Sequence, residues 1–166
     1  MRDFEIRKST ITDIPTLLLL AENAKIIMRQ SGNMLQWTGG YPTADVFLND
    51  INQGCSYIVE RMGEAVATFA FLPSPEPTYT KIYEGDWLDD TSPYYVIHRI
   101  AAKNNVKGVM GIILDYCFGK TRNIRIDTHR DNVIMRHLMK KYGFSYCGII
   151  LLSNGDERLA FQKIIN

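Results

Sequence analysis

Alternating hydrophobic and polar positions predict a first strand followed by two helices. Polar and apolar side chains alternate over Phe4–Lys8, which is typical of a half-buried strand. Apolar residues then recur every three or four positions from Ile14 to Ile27, behind Thr12, a good N-cap residue. A second, shorter helix is predicted over Thr43–Asn52.

The middle of the chain combines a predicted hairpin with one long irregular segment. Strands are predicted over Cys55–Arg61 and Glu64–Leu72, joined by a turn at Met62-Gly63. The next stretch, Pro73–Pro93, holds four of the six prolines of the chain. We expect this stretch to run over the surface, and loops of this length are often functional.

Strands and helices alternate through the second half of the chain. Tyr94–Ala102 is strongly apolar and predicts a central strand. The later elements are a helix over Gly108–Lys120, a strand over Asn123–Thr128, a helix over Asn132–Tyr142, and a hairpin of Phe144–Leu152 and Glu157–Ile165. This order predicts one α/β domain over residues 1–166, with a mixed, mostly antiparallel sheet and helices on both faces.

Composition favours an ordinary globular protein. The net charge of +1 directs no strong field toward nucleic acid or membrane, so neither is an expected partner. The first residues, MRDFEIRKST, do not match a signal peptide, and no apolar run is long enough to span a bilayer. Cys55, Cys117 and Cys147 lack metal-ligand spacing, so we expect buried free thiols in the reducing cytoplasm.

A glycine-containing turn separates the strand Tyr94–Ala102 from the next helix. Residues Asn105–Gly111 read NVKGVMG. Unpaired N–H groups in the first turn of a helix can hold a phosphate, and Asn105 and Lys107 add side-chain donors. An ordinary strand–helix loop is the alternative, because the turn matches neither the Walker motif nor the dinucleotide motif.

A second motif begins the following helix, where residues Asn132–Phe144 read NVIMRHLMKKYGF. The two motifs together resemble the signatures of the GNAT superfamily of N-acetyltransferases, and the order of elements is similar along essentially the whole chain. The second signature fits without a gap, whereas the first keeps only its central glycine, Gly108. Met110 stands where the family has Gly or Ala.

The resemblance implies a fold whose strands splay apart to hold acetyl-CoA as co-substrate. The cofactor would lie between Tyr94–Ala102 and Asn123–Thr128, with Asn132 facing its arm. Its pantetheine arm would pair with the backbone of Ile100, Ala101 and Ala102. Its pyrophosphate would rest on the turn formed by Asn105, Val106, Lys107, Gly108, Val109, Met110 and Gly111.

Acetyl transfer to an amine needs a base for the amine and an acid for the leaving thiolate. The family often uses a Tyr as the acid, at the position that is Met139 here. Tyr142, one helical turn further on, is predicted to take that role, or else to pack at the helix end. His98 and His129 are the candidates for the base. His129 is predicted to take this role because it ends a strand where the split opens, whereas His98 lies within an apolar strand, where a hydrogen-bonded core residue is the usual case; an ordered water is the alternative.

Aromatic residues from two loops are predicted to line the acceptor site. Trp37 and Tyr41 follow the first helix, Tyr83 and Trp87 lie in the Pro73–Pro93 segment, and His98 lies on a central strand. The acidic residues near Trp87 would attract a cationic amine, or else form a solvated surface. Since His129 and His137 have no acidic partner at ligand spacing, no metal site is expected.

The sequence therefore predicts an acyl-CoA-dependent N-acetyltransferase that acts by direct attack of an amine on acetyl-CoA. The acceptor is a small-molecule or peptide amine. A non-catalytic acyl-CoA-binding or sensor domain on the same fold is the alternative, favoured by Met110 and Met139. A homodimer is an alternative to a monomer, because the edge of the final hairpin could pair with that of a second copy.

Overall fold

A computed structural model describes residues 3–166. Seven strands form one sheet in the order β1-β2-β3-β4-β5-β7-β6. The elements are β1 Phe4–Lys8, α1 Ile14–Gln30, α2 Ala44–Asn52, β2 Ser56–Arg61, β3 Glu64–Pro73, β4 Tyr95–Ala102, α3 Val109–Phe118, β5 Asn123–Thr128, α4 Val133–Lys141, β6 Ser145–Leu151 and β7 Glu157–Ile164. Short 3-10 turns lie at Ile11–Asp13 and Pro77–Tyr79.

The predicted α/β class and the mixed, mostly antiparallel sheet are confirmed. β4 and β5 are the parallel neighbours, and every other neighbouring pair runs antiparallel. Local sequence signals set the helix starts, since Thr43 caps α2 and Asn132 caps α4 through their side chains. Within residues 3–166, no helix is both long enough and apolar enough to cross a membrane.

Helices cover both faces of the sheet, as the order of elements predicts. Because successive side chains of a strand point to opposite faces, β2 contributes to two cores. Tyr57 and Val59 pack with the α3 residue Ile113 on one face. Ile58 packs with the α1 residue Leu17 on the other.

The three cysteines are free and buried, as expected. Burial raises the pKa of Cys117 to about 12, so its thiol stays protonated in the folded protein. Burial also raises the pKa of Cys55 and of Cys147. These side chains therefore act as small apolar core residues.

The segment between β3 and β4 is not confined to the surface, which corrects the expectation for Pro73–Pro93. Tyr79 and Trp87 are 0% and 6% exposed and form a separate core with Ile150 and Ala160. The indole Nε1 of Trp87 donates to the carbonyl of Tyr79 at 3.1 Å. The two aromatic rings cover β6 and β7 on the face where α1 and α2 cover β2 and β3.

A buried arginine holds this segment against the sheet. The guanidinium of Arg125 lies between two rings, 4.0 Å from the centroid of Trp87 and 3.9 Å from that of Tyr94. Its Nη2 donates to the carbonyl of Asp89 at 2.8 Å. Stacking and hydrogen bonding thereby compensate a charge that is only 1% exposed.

The same segment also covers part of the β6 edge. The backbones of Tyr83 and Ile149 exchange two hydrogen bonds of 2.8 Å. Gly85 lies so close to β6 that a Cβ there would meet the carbonyl oxygen of Cys147 at 1.9 Å. The hairpin edge at which a second copy could pair is thus partly occupied by the chain itself.

The substitution Gly85→Ala is expected to lower the free energy of unfolding by about 1–3 kcal/mol, because the added methyl meets rigid backbone. Urea denaturation followed by tryptophan fluorescence measures this change. Asp86→Ala, at the exposed neighbouring position, is the control and should stay within about 0.5 kcal/mol of the wild type. Equal stability of the Gly85→Ala variant and the wild type would show that the segment does not pack tightly on β6.

Candidate active site

The two parallel strands at the centre of the sheet separate after a short paired stretch. β4 and β5 pair only at Tyr95 with Ile124 and at Val96 with Arg125. Beyond these pairs, β4 continues to Ala102 and β5 to Thr128 without pairing to each other. The predicted splaying of these strands is confirmed.

The unpaired part of β4 leaves backbone groups available on its open side. The amide of Lys103 donates toward β3, to the carbonyl of Val66 at 2.9 Å. Because neighbouring residues of a strand direct their N–H and C=O groups to opposite sides, those of Ala102 face the gap. An extended ligand can pair there as an additional strand would.

A β-bulge shapes β4 at the split. Ala70 pairs with His98 and Thr68 pairs with Ala101, so β4 has one residue more than β3 over this stretch. Arg99 within the bulge has a φ of 54°. Bulges of this kind bend a strand and redirect its side chains.

Arg99 ties the bulge to α2. Its Nε and Nη2 donate to the two carboxylate oxygens of Asp50 at 2.7 and 2.6 Å. Its Nη1 donates to the hydroxyl of Tyr41 at 3.1 Å. Asp50 is only 2% exposed, so this is a buried, bidentate ion pair that fixes the loop before α2 beside the split.

A cavity of about 460 Å³ opens at the split. Its wall is formed by the loop between α1 and α2, the bulged part of β4, the end of β5 and the β6–β7 hairpin. The polar and aromatic residues of that wall include Gln36, Trp37, Tyr41, Glu76, His98, Arg99, Asp127, Thr128, Asn132, Asn154, Asp156 and Arg158.

His98 lies between two carboxylates in this cavity. Its Nε2 is 3.2 Å from Glu76 Oε2, and its Nδ1 is 3.8 Å from Asp127 Oδ2. Burial acts to raise the pKa of Glu76, but hydrogen bonding and charge attraction from His98, with hydrogen bonds from Thr78, outweigh it and lower the pKa to about 2. Glu76 is therefore ionised at neutral pH.

Asp127 has a second partner in Tyr79. The Tyr79 hydroxyl donates to Asp127 Oδ2 at 2.5 Å. Burial, and then the charge of Asp127, raise the pKa of Tyr79 well above its usual value, so the phenol keeps its proton. Glu76, His98 and Asp127 thus form a polar chain along the cavity wall, and Tyr79 continues it into the core.

A network of side-chain amides closes another side of the cavity. Gln36 Oε1 accepts hydrogen bonds from Asn33 at 2.8 Å and from Asn132 at 3.0 Å. Asn132 also caps α4 by accepting from the amide of Met135 at 3.0 Å. Its side chain therefore joins α4 to the loop between α1 and α2.

The turn before α3 has an open glycine at its centre. Gly108 is the N-cap of α3 with a φ of 79°, and no side chain caps the helix. The residues Asn105, Lys107 and Gly108 are exposed, and a Cβ on Gly108 would meet nothing within 4 Å. Free helix N–H groups behind an open surface suit a phosphate group.

The structure brings together only part of the residues chosen from the sequence. Trp37, Tyr41, His98, Ile100 and Asn132 all line the cavity. His129, Tyr142, Tyr83 and Trp87 are not part of its wall. The cavity therefore combines candidates from the α1–α2 loop with candidates from β4 and α4.

The residues outside the cavity have other contacts. Trp87 is buried against Arg125, and Tyr83 is bonded to β6. His129 accepts the amide of Asp131 on Nδ1 at 3.0 Å. The hydroxyl of Tyr142 lies 3.1 Å from where a Cβ of Gly111 would stand, which places its ring against the first turn of α3.

Three cavity residues, Glu76, Asp127 and Arg158, were not among the predicted site residues. Glu76 comes from a segment without periodicity, and Arg158 follows a turn in a strand of mixed composition. Within residues 3–166, no group of three or more His, Cys, Asp or Glu side chains is arranged to hold a metal ion.

Comparison with solved structures identifies the family. An acetyltransferase of the GNAT family from Streptococcus agalactiae superposes with a TM-score of 0.89 and is 33% identical, over 98% of this chain and 96% of that one. The chain belongs to the GNAT family of acetyltransferases. No protein-family model matches the sequence, and no curated protein matches it.

More distant GNAT structures share the fold. A GNAT acetyltransferase from Listeria monocytogenes has a TM-score of 0.71 at 19% identity, over 98% of this chain and 95% of that one. A ribosomal L7/L12 alpha-N-protein acetyltransferase in complex with coenzyme A has a TM-score of 0.62 at 16% identity, over 99% of this chain and 96% of that one. At these identities the likeness concerns the fold alone.

Proposed function

We propose that this GNAT protein transfers an acetyl group from acetyl-CoA to an amine. The observation that carries the proposal is the unpaired stretch of β4, which lies open beside a cavity of about 460 Å³ that holds a titratable cluster. An open strand suits the pantetheine arm, and the cavity suits an acceptor. One related protein of the same fold is a complex with coenzyme A.

The residues present fit an acyl-CoA. The arm would lie along Ile100, Ala101 and Ala102, where the backbone of β4 is free toward β5. The pyrophosphate would rest on the turn from Asn105 to Gly111, where α3 lacks a side-chain cap and Lys107 adds a positive charge. Acetyl-CoA, when bound, supplies the activated acetyl group.

His98 is the group best placed to take a proton from the acceptor amine. An amine attacks only when neutral, so its ammonium form must first lose a proton. His98 lines the cavity, and the carboxylates of Glu76 and Asp127 stabilise the imidazolium that results. We therefore propose His98, rather than His129, as the base.

The remaining roles belong to the backbone and to Tyr142. Free N–H groups on the open side of β4 are positioned to stabilise an oxyanion. Tyr142 as the acid for the leaving thiolate stays a prediction. Its ring lies against Gly111, at the turn proposed for the pyrophosphate.

Gly108→Val is expected to weaken acetyl-CoA binding by about tenfold or more, because a β-branched residue strains a left-handed conformation and crowds the turn. Isothermal titration calorimetry measures the dissociation constant. Gly63→Val is a matched control, since Gly63 also has a φ of 79° with nothing within 4 Å, but lies in the β2–β3 turn. Equal affinities of the two variants would remove the phosphate assignment.

The function itself is tested by titrating the protein with acetyl-CoA and then measuring free thiol release in the presence of a panel of amines. Binding with amine-dependent thiol release would support the transferase. Binding without release from any amine would favour the non-catalytic acyl-CoA-binding domain. Absence of binding would contradict both.

A further inference from the structure

Arg158 places a buried positive charge in the acceptor cavity. It lies on β7 opposite Ile150 and is 7% exposed, and it contributes to the cavity wall. Burial, and then the charge of Arg158, lower the pKa of the neighbouring His129. The guanidinium thus creates a positive potential at this end of the cavity.

Arg158 lacks the compensation that the other enclosed arginines have. Its one hydrogen bond runs from Nη1 to the carbonyl of Glu157 at 2.9 Å, and no carboxylate of residues 3–166 lies within ion-pair distance. Arg99 is paired with Asp50, and Arg125 lies between two aromatic rings. Buried charges in proteins are usually paired, and the guanidinium of Arg158 remains open to an anion that enters the cavity.

The acidic residue of the hairpin does not supply that partner. Asp156 lines the cavity near Arg158, but its Oδ2 accepts a hydrogen bond from Asn154 at 3.0 Å. The guanidinium of Arg158 is the kind of donor that holds a carboxylate.

The opposite charge lies across the same face of the sheet. Asp127 on β5 pairs with Ala160 on β7, two positions from Arg158, so the side chains of Asp127 and Arg158 are diagonal neighbours. Such neighbours have their backbones about 7–8 Å apart. The cavity therefore has a negative region at Glu76 and Asp127 and a positive region at Arg158. The distance between the two regions is one that a small molecule can span.

We propose that the acceptor is an amine that also carries a carboxylate, with the amino group at Glu76, His98 and Asp127 and the carboxylate at Arg158. This assignment of an acceptor class rests on the proposed acetyltransferase function. A buried arginine left unpaired by an uncharged analogue costs free energy, so the site discriminates against acceptors without the anion. Amino acids and ω-amino carboxylic acids belong to the proposed class, whereas simple alkylamines do not.

The test is a binding measurement that does not need turnover. Isothermal titration of the CoA-saturated protein compares α-amino acids and ω-amino carboxylic acids, from glycine to 6-aminohexanoate, with the primary amide of each. We expect at least one acid to bind about tenfold or more tightly than its amide, which corresponds to one charge-assisted hydrogen bond. Absence of such a preference throughout the series would overturn the proposal.

Variants assign the preference to Arg158. Arg158→Gln should abolish the preference for the acid over the amide, and Arg158→Lys should retain part of it. Arg130→Gln is the matched control, because Arg130 is an exposed arginine outside the cavity. A preference that survives in a folded Arg158→Gln variant contradicts the assignment, and Arg158→Lys serves as the second variant if Arg158→Gln does not fold.

Thiol release separates this proposal from the function on which it rests. If acids bind through Arg158 but no thiol is released, the carboxylate site stands and the acetyltransferase proposal fails. If amines are acetylated with equal efficiency whether or not they carry a carboxylate, the acetyltransferase stands and the carboxylate site fails.

Discussion

The substitution His98→Gln is expected to lower kcat by about 10²–10⁴-fold, the usual contribution of a general base. Glutamine keeps a polar group of similar reach between Glu76 and Asp127 but cannot accept the proton of the amine. The pKa of Glu76 is about 2, so this carboxylate stays ionised at every pH at which the assay is run. A fall in kcat on mild acidification therefore does not come from protonation of Glu76. The measurement is kcat from thiol release at saturating acetyl-CoA.

Two controls make this result interpretable. His137→Gln introduces the same change at an exposed histidine of α4 outside the acceptor cavity, and it should leave kcat close to that of the wild type. Acetyl-CoA affinity measured by calorimetry shows whether the His98→Gln variant keeps its fold. Unchanged kcat in a folded His98→Gln variant would move the base to His129 or to an ordered water.

Asp50→Ala is expected to lower the free energy of unfolding by about 3–5 kcal/mol, because the guanidinium of Arg99, whose side chain is only 13% exposed, loses its anion. The two hydrogen bonds lost are short, at 2.7 and 2.6 Å, and Asp50 is 2% exposed. Urea denaturation gives the free energy from the transition midpoint and slope.

An exposed ion pair provides the comparison for Asp50→Ala. Arg130 and Glu157 lie 2.7 Å apart with side chains 57% and 53% exposed, so Glu157→Ala should cost no more than about 1 kcal/mol. The double variant Asp50→Ala/Arg99→Met should recover part of the loss, since it removes the uncompensated charge as well. A loss below about 1 kcal/mol for Asp50→Ala would show that solvent reaches Arg99.

The sequence predicted those elements whose signals are local. β5 begins and ends where the pattern of apolar residues predicts, and the caps Thr43 and Asn132 mark the starts of α2 and α4. Gly143 follows α4 with a φ of 78°, the left-handed conformation usual for a glycine that ends a helix. Periodicity and capping depend on neighbours within a few residues, so a single sequence contains them.

The split between β4 and β5 was expected only through the resemblance to the GNAT family. β4 is mostly apolar and β5 alternates polar and apolar residues, as ordinary sheet strands do. Nothing in their composition therefore shows where pairing stops at Val96 and Arg125. The bulge at Arg99 and its contact with Asp50 lie just beyond this point. Those two residues are 49 positions apart, and such long-range pairs have no local signature.

Composition alone did not distinguish aromatic residues that line the cavity from those that fill a core. Trp37 lines the cavity, whereas Trp87 is buried against Arg125. Both tryptophans lie in loops with glycine and polar neighbours. Trp87 packs on Arg125 of β5, which is 38 positions away, so no local pattern in the sequence indicates this contact. The same is true of Glu76, which lies beside His98.

The covered edge of β6 has a consequence for behaviour at high concentration. An open sheet presents two edge strands, and an unprotected edge invites aggregation through intermolecular strand pairing. β1 is protected by the charges of Glu5, Arg7 and Lys8, and β6 by the backbone of Tyr83. The segment that positions Glu76 in the cavity therefore also covers the edge of the sheet. If this segment detached, β6 would be exposed to intermolecular pairing and the cavity would lose Glu76 at the same time.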